Sequence, residues 1–201
     1  MELMAPAGSF QSAVQAFEHG ADAVYAGLQQ FSARNAAVNF SFDELRRVKE
    51  YAHRRGKFLY IALNTVILDE ELEKVLYALH QLTLLQTDGV IVQDLGLAHI
   101  IRKYFPSLPL HSSTQLAVHN ESGVRYLQSI GFSRIVLARE LTLNEIIKIR
   151  KSCPNVELKV FIHGALCYSV SGMCLASGAL LGRSANRGLC GQICRTWFTA
   201  K

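Results

Sequence analysis

Short, nearly continuous apolar runs alternate along this chain with longer stretches in which apolar residues recur every three or four positions. The runs are Leu3 to Pro6, Ala23 to Gly27, Phe58 to Asn64, Val90 to Gln93, Leu110 to Ser113, Ile135 to Ala138 and Leu158 to Ile162. Runs of this length, apolar on consecutive positions and bounded by Gly, Asp or Pro, predict strands buried on both faces of a parallel sheet. The longer stretches predict helices: Leu45, Val48 and Ala52 form one helix-spaced set, Leu72, Val75, Leu76 and Leu79 another, and Ile146 and Ile149 a third. Their ends are marked. Ser41 with Glu44, and Thr142 with Glu145, match the capping box, in which each side chain accepts from the other's orphan backbone donor. Gly20, Gly56 and Gly131 stand where a left-handed C-terminal cap belongs, and Pro106 and Pro154 stop two further helices.

Seven strand-then-helix alternations predict an α/β fold, either a TIM-type (β/α)8 barrel or an open doubly wound sheet. No Gly-x-Gly-x-x-Gly turn follows the first strand, which weighs against a dinucleotide-binding sheet. Polar residues recur at the strands' carboxyl ends: Asn64, Gln93 with Asp94, Ser113 with Gln115, Arg139 with Glu140, and His163. Barrel enzymes assemble their sites on that rim. The expectation is therefore an incomplete TIM-type barrel with seven βα units over residues 1–164 and a Cys- and Gly-rich segment of the same domain over 165–201. On this reading the chain stops before an eighth βα unit and leaves the first and seventh strands with unpaired edges.

Half of the 201 residues are hydrophobic, enough for a well-packed core, which weighs against disorder. The net charge of +5 favours acidic partners such as nucleic acid or a small polyanion, or is an ordinary basic surface. The N-terminus lacks the pattern of a signal peptide, and no apolar run approaches the roughly 20 residues of a membrane span, so no membrane partner and a cytoplasmic location are expected. In a reducing compartment clustered cysteines are metal ligands or reactive thiols more often than disulfides. Cys167, Cys174, Cys190 and Cys194 are separated by six, fifteen and three residues, which does not fit the paired Cys-x-x-Cys of a zinc ribbon. A Gly-rich, turn-prone stretch carrying four thiols suits an iron-sulfur cluster, with zinc or reduced packing thiols as the alternatives. Cys153, before Pro154, reads as a bystander. Gly-x-Ser-x-Gly and His-Glu-x-x-His are both absent, leaving a weak Cys167 and His163 pairing as the one nucleophile candidate.

Phe161-Ile-His-Gly-Ala-Leu-Cys167, Ser171-Gly-Met-Cys174 and Gly182-Arg-Ser-Ala-Asn-Arg-Gly-Leu-Cys190-Gly-Gln-Ile-Cys194-Arg resemble the collagenase-like peptidase U-32 family. The resemblance continues upstream through Gly20-Ala-Asp-Ala-Val-Tyr-Ala-Gly27, Leu63-Asn-Thr65, Val92-Gln-Asp94, His111-Ser-Ser-Thr-Gln115 and Val136-Leu-Ala-Arg-Glu140, and so spans essentially the whole chain. It departs at Lys159, where the family signature carries Glu. The resemblance implies the barrel-type N-terminal domain of a larger protein. Some members are named proteases or collagenases; others are oxygen-independent hydroxylases of ribosomal RNA cytidine, transfer RNA uridine or the ubiquinone ring. The Leu-Asn-Thr, Val-Gln-Asp and Gly-Arg-Ser-Ala-Asn-Arg-Gly segments look most like the ribosomal RNA 5-hydroxycytidine synthase branch. By the same resemblance Cys167, Cys174, Cys190 and Cys194 are ligands of a 4Fe-4S cluster, and prephenate is the oxygen donor.

Further residues complete the expected site. His163 is a candidate for proton transfer or substrate orientation, against a satisfied core histidine. Arg139 is expected to clamp a carboxylate and Glu140 to exchange a proton, against a mutual ion pair. Asn64, Gln93 and Gln115 suit the orientation of a base or a polyhydroxylated donor, or they tie down loops. Arg34, Arg183 and Arg187 are candidate phosphate contacts on an RNA partner, against solvated loop arginines. Tyr25 is expected in the core. RNA-base hydroxylation leads, with a peptidase and an inactive truncated barrel as rivals.

Overall fold

The computed structural model describes residues 1–33 and 39–197. Seven strands, β1 (Met4–Pro6), β2 (Ala23–Gly27), β3 (Phe58–Leu63), β4 (Gly89–Val92), β5 (Leu110–Ser112), β6 (Arg134–Val136) and β7 (Glu157–Lys159), form one sheet in sequence order. Every pairing is parallel. Six helices return between them: α1 (Phe10–Glu18), α2 (Phe42–His53), α3 (Leu72–Leu84), α4 (Leu95–Tyr104), α5 (Glu121–Ser129) and α6 (Leu143–Ser152); a short α7 (Ala176–Leu181) follows β7.

The ends read from sequence hold. Ser41 accepts from the Glu44 amide while Glu44 accepts from the Ser41 amide, and Thr142 and Glu145 repeat the arrangement. Gly20, Gly56 and Gly131 all have positive φ, and α4 and α6 end two residues before Pro106 and Pro154. At Gly131 the glycine also makes room: a Cβ would lie 2.1 Å from Arg102 Nε. Asp94, grouped with the rim residues in the sequence, caps α4 by accepting from the Leu97 amide at 2.8 Å and holds the β3–α3 loop through the Ile67 amide at 3.0 Å.

The sheet is rolled. β1 and β7 are not paired with each other, yet Arg134 on β6 donates to Glu2 at 2.7 Å and the Lys159 amine on β7 reaches the Met4 thioether on β1. Side chains at opposite ends of the strand order meet only if the sheet curls toward a cylinder. Burial divides accordingly. Leu59, Ile61, Leu63, Val90, Val92, Leu110 and Ile135 face outward under the helices and form the large core with Leu45, Val48, Leu79, Leu82, Leu97 and Ile101. Ala23, Tyr60 and Ile91 face inward with Met4 and Tyr25, placing Tyr25 in the interior as expected.

The interior is partly polar. Arg134 is 9 % exposed, donates to Glu2 and Glu157 and lies over the Tyr60 ring, whose hydroxyl donates to Glu2. His111, buried beside these, is held down at a pKa of about 3, first by burial and then by Arg134 and Lys159. Lys159 has no carboxylate partner among the described residues; its amine lies 4.8 Å from the centre of the Tyr25 ring and 5.6 Å from that of Phe161. Burial, then the Arg134 charge, push it down to about 8.

Two departures from the sequence reading matter. The last strand ends at Lys159, where the Leu137 amide donates to its carbonyl, and Val160, Phe161 and Ile162 leave the sheet with exposed side chains. The apolar run continues past Lys159, but β6 offers no further ladder: Val136 with Lys159 is its final registered pair. His163 therefore does not sit at a strand end. The β5–β6 ladder is also short, with His111 opposite Arg134 as its one registered pair. There the buried Ser112 hydroxyl accepts from the Val136 amide at 2.8 Å, taking the place of a ladder carbonyl.

Ser112→Ala should orphan that amide and cost about 1–3 kcal/mol in chemical denaturation; a loss within error would show the ladder does not need it. Lys159 gives a pH signature. Below about 8 the amine is charged in both states and the folded chain bears the full burial cost; between 8 and its ordinary value near 10.5 the native amine sheds its proton first, so stability rises with pH. Lys159→Met should flatten that rise and stabilise the protein at pH 7 by on the order of 1–3 kcal/mol, read as a higher melting temperature; an unchanged pH profile would contradict this account.

Candidate functional site at the barrel mouth

The strands' carboxyl ends bring several expected residues together. Asn64, just past β3, donates from Nδ2 to Gln115 Oε1 at 3.3 Å and accepts from the Ala33 amide at 3.0 Å. Gln115 sits in a 3₁₀ turn after β5; its Oε1 also accepts from the Ser113 hydroxyl at 3.3 Å. The loop reading of these amides is thus partly right, because each ties one rim loop to another. Gln93 is buried after β4 with Oε1 lacking a partner, and Arg139 beyond β6 is half-buried with Nε lacking one. Buried polar atoms without partners are rare in folded proteins and mark places a ligand can satisfy. The cavity of about 670 Å³ at the strands' amino ends is lined among others by Glu2, Arg134 and Glu157, whose charges satisfy one another, and by Thr87, whose buried Oγ1 also lacks a partner.

Glu140 has a different role from the one expected. It does not pair with Arg139. Its carboxylate accepts from the Ser171 amide at 2.5 Å and the Ser171 hydroxyl at 2.7 Å, with His119 3.6 Å away. Partial burial alone would push its pKa up, but the two Ser171 hydrogen bonds and the His119 charge outweigh this and hold it below the usual carboxylate range. Already saturated by donors and ionised, it is a poor proton exchanger and a good strut. Ser171 is fully buried at φ 46°, in the 3₁₀ turn Val170–Gly172. His119 carried no sequence signal, and Ser171 entered only as part of the Ser171-Gly-Met-Cys174 motif, since both act through contacts between distant segments.

The strut anchors the Cys-rich segment. Cys167 Sγ lies 3.1 Å from Ser169 Oγ; partial burial raises the thiol pKa, while the Ser169 hydroxyl and amide and the Arg139 guanidinium bring it below its ordinary value. Gly172 lets the turn close on the rim: a Cβ there would stand 3.0 Å from Arg139 Nη2 and 3.4 Å from Gln115 Cγ. Asn186 holds Cys174 from both sides, accepting from its amide and donating to its carbonyl at 3.3 Å, while the Asn186 carbonyl accepts from the Val66 amide. Arg187, expected on phosphate, instead makes a two-pronged pair with Glu71 at 2.8 and 2.9 Å.

Other expectations part company with the geometry. Cys190 and Cys194 are exposed, and among the described residues no group of three or more His, Cys, Asp or Glu is placed to hold a metal ion. His163 is exposed and makes no hydrogen bond to Cys167 among the described residues. Arg34 lies outside the described residues. No helix is long and apolar enough to cross a membrane.

The family model for peptidase family U32 matches residues 8–200. The chain belongs to peptidase family U32. Two curated U32-like relatives from Escherichia coli, a tRNA hydroxylation protein P and a 23S rRNA 5-hydroxycytidine synthase, are 38% identical over 96% of this chain and 41% identical over all of it. The chain spans 43% and 30% of their respective lengths, so less than half of either. Among solved structures, that of the U32 peptidase Mk0906 overlays with a TM-score of 0.64 at 16% identity, over 80% of this chain and 67% of the other, a likeness of fold.

Replacing Glu140 with Ala should release the Val170–Gly172 turn and speed thiol labelling of Cys167 and Cys174 several-fold at neutral pH, with Cys190 and Cys194 as exposed internal references. Equal labelling rates in the two proteins would show that Glu140 is not the anchor.

Proposed function

We propose that this U32 chain serves the hydroxylation of a pyrimidine base in RNA, of the ribosomal 5-hydroxycytidine or transfer RNA kind. The observation that carries the reading is the pair of unsatisfied buried atoms at the mouth, Arg139 Nε and Gln93 Oε1, beside the Asn64 and Gln115 amides. A guanidinium with a spare donor suits the carboxylate of a small oxygen-donating acid of the prephenate type. Neutral amides, which both donate and accept, suit the edge of a flipped base. The relatives named for tRNA and rRNA hydroxylation support the same choice. Arg139 is the residue assigned to the donor, Asn64, Gln93 and Gln115 to orientation, and Glu140 to holding the rim and the Cys-rich segment in register.

The peptidase reading draws on the family name: His163 makes no hydrogen bond to Cys167 among the described residues, and the Ser171 hydroxyl that donates to Glu140 is fully buried, out of reach of a peptide. A 4Fe-4S cluster on Cys167, Cys174, Cys190 and Cys194, the last two of them exposed, is assigned no step.

Nucleoside mass spectra of ribosomal and transfer RNA from cells with and without the gene test the proposal. The expected outcome is loss of one hydroxylated pyrimidine, restored by the wild-type gene and reduced at least tenfold with Arg139→Gln. Unchanged nucleosides, together with gelatin or peptide cleavage by the purified protein, would reverse the choice. Anaerobic reconstitution with iron and sulfide counting addresses the cysteines separately: about four of each per chain supports the cluster, and none removes it.

A further inference from the structure

The charge of this chain is segregated. Glu157 is its last acidic residue, and the five cations beyond it, Lys159, Arg183, Arg187, Arg195 and Lys201, equal the entire net charge of +5. Of the 21 Lys and Arg, the remaining 16 are matched by the 16 Asp and Glu, so residues 1–157 are neutral overall. The structure fastens this acid-free stretch to the barrel mouth through Glu140 with Ser171, Glu71 with Arg187, and Val66 with Asn186. Two of its cations are already engaged, Lys159 facing the interior and Arg187 on Glu71. Arg183 and Arg195 are exposed, and their side chains make no ion pair or hydrogen bond among the described residues. Among its described residues the same stretch exposes three aromatic side chains, Phe161 at 46 %, and far more fully Tyr168 at 89 % and Trp197 at 102 % of full accessibility.

We propose that this acid-free segment is a docking face for single-stranded RNA, with Arg183 and Arg195 on phosphates and Tyr168 and Trp197 as stacking platforms for bases. Unpaired cations supply attraction and aromatic faces supply sequence-tolerant grip, the two components that single-strand binding combines. An anion of any kind would explain the arginines, and an apolar partner would explain the rings; a polyanion with flat bases accounts for both. Residues 1–157 carry no net charge, so the net attraction of the chain for a polyanion comes from the segment fastened at the rim where Arg139 and Gln115 lie. This inference rests on the RNA reading above but concerns where the strand is held.

The test is fluorescence anisotropy of a labelled pyrimidine-rich RNA oligonucleotide with the 201-residue chain across a salt series. Arg183→Gln with Arg195→Gln should weaken binding at least tenfold at low salt and reduce the slope of log affinity against log salt by about 0.7 for each phosphate that is no longer neutralised. Trp197→Ala should weaken binding at least fivefold with the slope unchanged. The control, Arg54→Gln with Lys103→Gln, removes the same charge from exposed helix ends at the opposite rim and should change affinity less than twofold. If the wild type binds and the two double variants weaken alike, the docking face is overturned while the RNA reading stands. If the wild type binds no RNA at any salt, both fail. Self-association in sedimentation that Trp197→Ala abolishes and the arginine variants leave intact would assign the face to a second copy and overturn the proposal.

Discussion

A guanidinium inside a rolled sheet sets the terms for the rest of this molecule. Arg134 projects inward from β6, and an isolated charge there would be prohibitive, so its position requires Glu2 and Glu157 to come to it. Those two carboxylates stand beside the first and last strands, which makes the ion-pair network a clasp across the ends of the sheet. The Tyr60 ring beneath the guanidinium and the hydroxyl that reaches Glu2 complete the closure. Of the four buried polar atoms without partners in the described structure, Thr87 Oγ1 and His111 Nδ1 lie on the side of this network, and Gln93 Oε1 and Arg139 Nε lie at the strands' carboxyl ends.

The second organising relation links that mouth to the Cys-rich segment. A parallel sheet rigidly positions the β6 end, and Glu140 transfers that rigidity to a segment with little regular structure of its own. Adjacent residues divide the labour: Arg139 faces the Cys167 thiol and keeps a donor spare, while Glu140 saturates its oxygens on Ser171. The segment then contributes what residues 1–157 lack, an unbalanced positive charge.

Strand positions, helix caps and the barrel class were legible because they rest on local periodicity and on pairs three residues apart, such as Ser41 with Glu44. The end of β7 was not, since an apolar run reads alike whether it lies in the sheet or leaves it, and only the length of its neighbour decides. Rim amides were found from strand-end position alone. The partners of Glu140 and Arg187 were not legible because Ser171 and Glu71 are 31 and 116 positions away in sequence. A charged side chain advertises that it can act, but its occupation by a distant partner leaves no trace in local pattern. The same holds for the four cysteines, whose resemblance to a ligand set speaks to chemistry while their placement depends on turns with few anchors.

Gly172 carries an unexpected burden. With φ at 90° and the Arg139 and Gln115 side chains crowding the space a methyl would fill, this position measures how near the sulfur-bearing turn can come to the cylinder's lip. Enlarging it by one carbon would press on the Arg139 guanidinium and the Gln115 side chain and wedge the turn away from the lip. Spacing at the lip is therefore governed by the smallest side chain in the neighbourhood.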